Sequence, residues 1–336
     1  MKTFSALLLA WMSTAIAGAQ PQAVHRPVKL MGSGFEFTAI HEDVALANAA
    51  IDAGIAEVSR IERLISSWDE NSQTSAINRN AGIAPVPVDE ELFRLIQRSL
   101  KVSGITDGAF DISFAAIEKL YLFNGSDTTL PPADEVARSV AKINFRNIIL
   151  NPQKHTVFLK EEGMRIGFGA IGKGYAANRA RAVMQAMGIA NGLVNASGDL
   201  TCWGKQEDGR DWGIAIADPD DKMRAIAWLP IGEGAVVTSG DYEKFLMVDG
   251  KRYAHIIDPR TGYPTTGIKS ATIVCPDAEL ADALATSVFV LGKERGLALI
   301  NQLKGIECLI ITEDNELLAS KNLQLQYEGM MERRNE

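Results

Sequence analysis

Between Gly167 and Gly174 the chain reads G-F-G-A-I-G-K-G, four glycines in eight residues. Each glycine inside a helix or strand costs roughly 0.5–1 kcal/mol relative to alanine, so such a run marks a junction, not the interior of an element. An apolar stretch leads into it. "YAANRARAVMQAMG" follows, with Ala176, Ala180, Val183, Met184 and Met187 at helical spacing and Gly188 placed as the C-terminal cap. The pattern predicts a strand, a tight turn and a helix. Exposed backbone N–H groups at a helix start, with Lys173 beside them, suit a phosphate.

Two nucleotide fingerprints overlap here, and context excludes both. Gly167 to Gly172 is a literal G-x-G-x-x-G, but the dinucleotide fold also needs an acid about 20 residues on to hold the ribose. The next strand candidate, "GLVNAS", carries Asn195 instead. Gly167 to Lys173 is G-x-x-x-x-G-K, but a P-loop needs Ser or Thr next to bind Mg²⁺, and Gly174 stands there. A glycine turn that only permits close packing stays open at this point.

The rest of the chain sets bounds. It has 336 residues, ample for one large or two medium domains. "MKTFSALLLAWMSTAIAGAQ" has a Lys, an apolar run too short to span a bilayer, and Ala17-Gly18-Ala19 before Gln20. It reads as a signal peptide over residues 1–19, leaving an exported chain over 20–336. No Cys follows the apolar run, so a lipid anchor is not expected, and no later segment reads as a membrane span. The expected location is the periplasm. A net charge of −8 without basic runs argues against nucleic acid. Three scattered cysteines, Cys202, Cys275 and Cys308, allow at most one disulfide, and four histidines without C-x-x-C make an ordinary zinc site a poor fit.

Periodicity predicts helices over 44–66, 89–106, 175–188 and 279–292, with a short one in "LPPADEVARSV". Residues 66–82 read as a polar surface loop. Residues 147–170 read as three strands broken at Asn151-Pro152 and Glu162-Gly163. "GLVNASGDL", "DWGIAIAD", "AIAWLPI", "GAVVTSG", "SATIVCP" and "IECLIITEDNELLAS" supply further strands, and "KFLMVDGKRYAHIID" a hairpin turning at Asp249-Gly250. Many antiparallel turns among mixed elements give an α+β class or a mixed α/β one.

Other constellations carry chemistry. In "ADALATS", Asp282 and Thr286 lie at i and i+4 on one helical face, where both oxygens can meet a hard cation such as Mg²⁺. Residues at that spacing also serve as caps or surface groups. "HIIDPRTGYP" holds His255, a candidate general base, and Asp258, placed to order its turn. "TDGAFDIS" puts Asp107 and Asp111 around Ala109 and Phe110, where backbone groups could read a ring edge. Trp68, in a polar segment, could stack on a ring system.

The order of these blocks is more specific than any one of them. "MGSGF", "SSWDENSQTSAINRN", "DGAFDIS", "GAIGKGYAANRA", "NASGDL", "VVTSGDYEKF", "YAHIIDPRTGYP" and "ADALATSVFVLG" together resemble the ApbE family of FAD:protein FMN transferases, from about Met31 to Gly292. The resemblance implies an α+β fold with a T-fold-like sheet and helix core and an FAD cleft between two parts. It implies Mg²⁺-dependent cleavage of the FAD pyrophosphate and transfer of FMN to a Thr or Ser hydroxyl of an acceptor protein, with AMP leaving. Acceptors of such enzymes are subunits of membrane redox and ion-pumping complexes. Carried onto this chain, Ala170, Asp282 and Thr286 would hold Mg²⁺. Met31, Trp68, Ala109, Phe110, Asp111, Gly167, Lys173 and His255 would line the FAD site, with His255 and Asp282 in catalysis. The alternative activity is an FAD pyrophosphatase giving FMN and AMP; Trp68 favours transfer. Three positions depart from the family pattern: Gly167 and Asn178 stand where Asp is common, and Ser197 where Gly is common.

Overall fold

The computed structural model describes residues 20–117, 120, 121, 123, 129–221, 223–241, 245–248 and 251–325. The leader and the turn at Asp249-Gly250 lie outside the described residues. The elements run β1 (Gln22–Leu30), β2 (Ser33–His41), α1 (Val44–Ile65), α2 (Gln73–Arg79), β3 (Val86–Pro87), α3 (Glu90–Ile105), α4 (Ala133–Val140), β4 (Ile148–Asn151), β5 (Thr156–Leu159), α5 (Gly172–Ala186), β6 (Asn191–Ala196) and β7 (Asp199–Trp203). Then come β8 (Trp212–Ala217), β9 (Ala225–Ile231), β10 (Gly234–Gly240), β11 (Phe245–Val248), β12 (Lys251–Ala254), β13 (Ile268–Cys275), α6 (Ala278–Ile300), β14 (Glu307–Thr312) and β15 (Leu317–Ala319).

Eight strands form one sheet in the order β1-β2-β6-β7-β10-β13-β14-β15, and every pairing is antiparallel. Helix α1 packs on β1 and β2, α5 on β6 and β7, and α6 on β10 and β13. Phe35, Phe37, Val194 and Ala196 of the sheet share one core with Ile51, Val58 and Ile61 of α1 and Ala176, Ala180 and Met184 of α5. A second core joins α6 to β10 and β13 through Ala235, Ile273, Ala281, Leu284 and Val288. The β8–β9 hairpin covers a third core with Trp212, Leu229, Leu200 and Val236. The class is α+β. The alternation of β2, with Phe35, Phe37 and Ala39 fully buried, is what a half-covered antiparallel strand requires.

Two expectations need correction. Residues 66–82 are not loop throughout, because Ser72 caps α2 by accepting the Ser75 N–H at 2.9 Å. The third strand expected in 147–170 finds no partner strand. Asn78 of α2 takes that part, accepting the Ile166 N–H at 2.7 Å and donating to the Ile166 carbonyl at 3.0 Å. The three cysteines are buried and unbonded to one another. Burial pushes the Cys202 thiol up to about 12 and that of Cys275 to about 11. No helix among the described residues is long and apolar enough to cross a membrane.

Candidate active site

The glycine loop is a meeting point, and each glycine marks what it meets. A Cβ at Gly167 would lie 3.1 Å from the Ala115 Cβ and 3.9 Å from Ser67 Oγ. One at Gly169 would meet the Phe114 ring at 3.6 Å, and one at Gly172 would lie 2.8 Å from Ile65 Cδ1 and 3.7 Å from the Met31 methyl. One at Gly174 would lie 2.1 Å from the Ala278 carbonyl oxygen and 2.8 Å from the Asp282 Cβ. The loop therefore contacts the segment after α1, the short helical turn 112–116, the β1–β2 hairpin and the start of α6. Gly174 fills the position where a P-loop needs a hydroxyl because the backbone of α6 occupies the space of any side chain.

Helix α5 has no side-chain cap of its own. Asp282 supplies one from α6: its Oδ2 accepts the Gly174 N–H at 3.0 Å. A carboxylate at a helix N-terminus also complements the helix dipole. Asp282 is 4% exposed, and Thr286 lies one turn further along α6, half-buried. Asn178 and Asp277 lock the same crossing. The Asn178 amide donates to Asp277 Oδ2 at 2.9 Å, and its Oδ1 accepts the Ala278 N–H at 3.1 Å. An aspartate at 178 would set two carboxylates together, so the departure from the family pattern matches its neighbour.

Lys173 Nζ lies 2.6 Å from Asp199 Oδ2. Asp199 opens β7 directly after the Ser197-Gly198 turn, whose φ values are 58° and 98°. Met31 and Gly32 make a matching turn between β1 and β2, at 49° and 72°. Both are two-residue hairpins with left-handed central residues. Met31 and Ser197 carry a side chain in that region, a strain of order 1 kcal/mol each. Gly32, Ser33, Asn195 and Ser197 share the lining of one open recess of about 570 Å³.

The segment 107–116 is pinned by Asp111. Its carboxylate accepts the Ser113 N–H at 2.8 Å, the Ser113 hydroxyl at 2.6 Å and the Phe145 N–H at 2.7 Å. Burial nevertheless raises its pKa above the ordinary aspartate value. Gly167 N–H donates to the Ile112 carbonyl at 2.9 Å, tying this segment to the glycine loop. Ala109 and Phe110 bury their side chains in two different cores, so only their backbones can meet a ligand. Trp68 is 69% exposed, on the segment whose Ser67 adjoins Gly167. That is an unusual position for a large ring in a folded chain.

His255 follows β12, between Ala254 and Ile256, which pack in the core shared with Ala109, Ala281 and Ala285. Its ring meets the edge of Phe123 at 6.3 Å between centroids. Asp258 orders the turn that follows, as expected. It accepts from Arg260 N, Nε and Nη2 at 2.9, 2.8 and 2.7 Å, and donates its own N–H to the Tyr263 carbonyl at 2.9 Å. Gly262, at φ 78°, packs against Val136, Val140 and Ile117.

The structure thus joins Met31, Gly167, Ala170, Lys173 and Asp282 around one loop, with Thr286 one turn further along α6 and Trp68 and Asp111 on the segments that touch it. Sequence reasoning missed Asp199 and Asn78; a carboxylate straight after a two-residue turn was the available signal for the first. Ala170, Asp282 and Thr286 offer a carbonyl, a carboxylate and a hydroxyl, all hard oxygen donors of the kind Mg²⁺ takes. Among the described residues no cluster of three His, Cys, Asp or Glu competes for a metal. The donor chemistry fits the ion.

Known proteins are similar to this chain in sequence and in fold. The model of the ApbE family matches residues 31–310. A FAD:protein FMN transferase of Klebsiella pneumoniae (strain 342) is 32% identical over 300 residues, covering 89% of this chain and 92% of that protein. One from Treponema pallidum (strain Nichols) is 33% identical over 294 residues, covering 83% and 81%. The crystal structure of the ApbE protein of Thermotoga maritima superposes with a TM-score of 0.83 at 31% identity, over 89% of this chain and 97% of that one. The flavin transferase ApbE of Vibrio cholerae gives 0.78 at 26% identity, over 90% and 98%. With its sequence and its fold both matched along most of its length, the chain belongs to the ApbE family.

Proposed function

We propose that this chain transfers FMN from FAD to a Thr or Ser hydroxyl of an acceptor protein, releasing AMP, with Mg²⁺ as its metal. One observation carries the reading: the crossing of α5 and α6 at Gly174, which sets Lys173 and Asp282 at the head of one helix. FAD suits such a place, because backbone N–H groups and an ammonium complement a pyrophosphate.

Ala170, Asp282 and Thr286 would hold the metal. Mg²⁺, when bound, neutralises charge on the pyrophosphate oxygens. Lys173 meets the same pyrophosphate from the start of α5. Trp68 would stack on the isoalloxazine ring, and the backbone of Ala109 to Asp111, the Gly167 segment and Met31 would line the same site. A side chain at Gly167 would crowd Ala115, which explains the glycine there. His255 takes the proton of the acceptor hydroxyl as its oxygen bonds to the FMN phosphorus. The bridging P–O bond breaks, and AMP leaves with the bridging oxygen. A positioned base of this kind is worth about 10²–10⁴-fold.

The leader pattern at residues 1–19 supports action in the periplasm, on a membrane redox subunit. The test incubates residues 20–336 with FAD, Mg²⁺ and an acceptor domain bearing a single Thr. Covalent flavin on that Thr, with AMP in equal amount, is the expected result. FMN and AMP released at the same rate without acceptor would mean hydrolysis instead.

A further inference from the structure

Asp199 is a charged residue of the sheet buried to 2% exposure. Its backbone is held on both sides, opposite Ala196 of β6 and Val237 of β10. The strained Ser197-Gly198 turn places it at the first position of β7. Its carboxylate meets the Lys173 ammonium at 2.6 Å. A buried ion pair is weak as a stabiliser, because desolvation offsets most of the attraction, and apolar residues often serve as well. A lysine head on a four-carbon stem is otherwise a mobile charge.

Other charged groups around α5 have contacts of their own. Asp282 of α6 accepts the Gly174 N–H, Arg179 pairs with Glu57 of α1 and Glu91 of α3, and Arg181 pairs with Glu233. We propose that Asp199 is a positioning residue. Paired on both sides at the start of β7, it fixes the Lys173 ammonium at the head of α5, where the FAD pyrophosphate is broken. This rests on the role given to Lys173 above. The gain is orientation: a charge held in place before the phosphate arrives stabilises the leaving AMP without having to be ordered during the reaction.

The experiment compares D199N, D199E, K173M and the D199N/K173M double variant by steady-state kinetics with FAD and acceptor, alongside near-ultraviolet circular dichroism. D199N is expected to lower kcat by about 10- to 100-fold with KM for FAD changed by less than about threefold. D199E should regain part of the loss. In the K173M background D199N should add nothing, the signature of two residues acting as one unit. Losses that multiply, or a D199N kcat near wild type beside an impaired K173M, overturn the proposal. So does a D199N loss that matches its unfolded fraction. A K173M enzyme as active as wild type overturns the lysine's role itself, a failure separate from that of Asp199.

Discussion

Asn78 serves Ile166 as a strand would, accepting its N–H at 2.7 Å and donating to its carbonyl at 3.0 Å. Both residues are buried. Replacing Asn78 with Ala strands two backbone groups at once, and each unsatisfied buried group costs about 1–3 kcal/mol. Asn78→Ala should lower the unfolding free energy by at least the smaller figure in urea denaturation. Asn78→Asp keeps the acceptor alone and should fall between. Equal midpoints for all three would show that the segment before the glycine loop is held by something else.

Gly174→Ala tests the α5–α6 crossing. The added methyl must displace the Ala278 carbonyl, and overpacking of this kind costs about 1–3 kcal/mol. Gly174→Ser completes a P-loop pattern on paper and should nonetheless reduce FMN transfer. Turnover and thermal unfolding of both variants check this; an active, stable Gly174→Ser enzyme would refute the tight crossing.

Asp282→Asn separates the two duties of one carboxylate. The amide oxygen can still accept the Gly174 N–H, so the melting temperature should stay close to wild type. The charge toward a cation is gone, and Mg²⁺-dependent kcat should fall by more than about 10²-fold. A Mg²⁺ titration followed by kcat and by tryptophan fluorescence reads both effects. Unchanged Mg²⁺ dependence would remove Asp282 from the metal site.

Stability in acid follows from Arg60. It bonds Glu57 and Glu91, and holds both carboxyls below the ordinary value of 4.5. A group whose folded pKa lies below its unfolded one stabilises the fold in full above about 4.5 and loses that contribution as pH falls through the lowered value. A Glu57→Gln/Glu91→Gln variant should therefore lose less stability than wild type on acidification below 4.5, while being weaker at neutral pH. Urea midpoints across that range decide it. Asp111 and Glu279, both raised by burial, run the other way and temper the acid loss in both proteins.

Ser197→Gly should stabilise the protein by about 0.5–1 kcal/mol, since φ 58° suits glycine better than serine. Calorimetry of the pair is sufficient. A lower melting temperature for the glycine variant would mean that the serine side chain contributes more than its backbone strain.

Long helices were legible in the sequence, because α1, α3 and α5 repeat their apolar residues at the helical period over about three turns or more, and α6 up to Gly292 is a long, nearly continuous apolar run. Helix α2 was not: in "QTSAINR" only Ala76 and Ile77 are apolar, and its buried side includes Thr74, Ser75 and Asn78, which bond rather than pack. The strand expected near Ile166 failed for the same reason, since a side chain replaced its neighbour. At the site, Asp282 and Thr286 were visible by spacing along one helix. Asp199 and Asn178 act across elements far apart in the chain, and no local period announces them.

The closeness of Gly174 to α6 has a bearing on how such an enzyme comes into being. Loops that carry their own metal-binding hydroxyl hold a phosphate and its ion within one short segment. Here the carboxylate reaches the loop from a helix 108 residues further on. A ribosome that has delivered the glycine loop has delivered only half a site. The crossing of α5 and α6 must await the last third of the chain, so the head of α5 gains its carboxylate cap only as the fold completes.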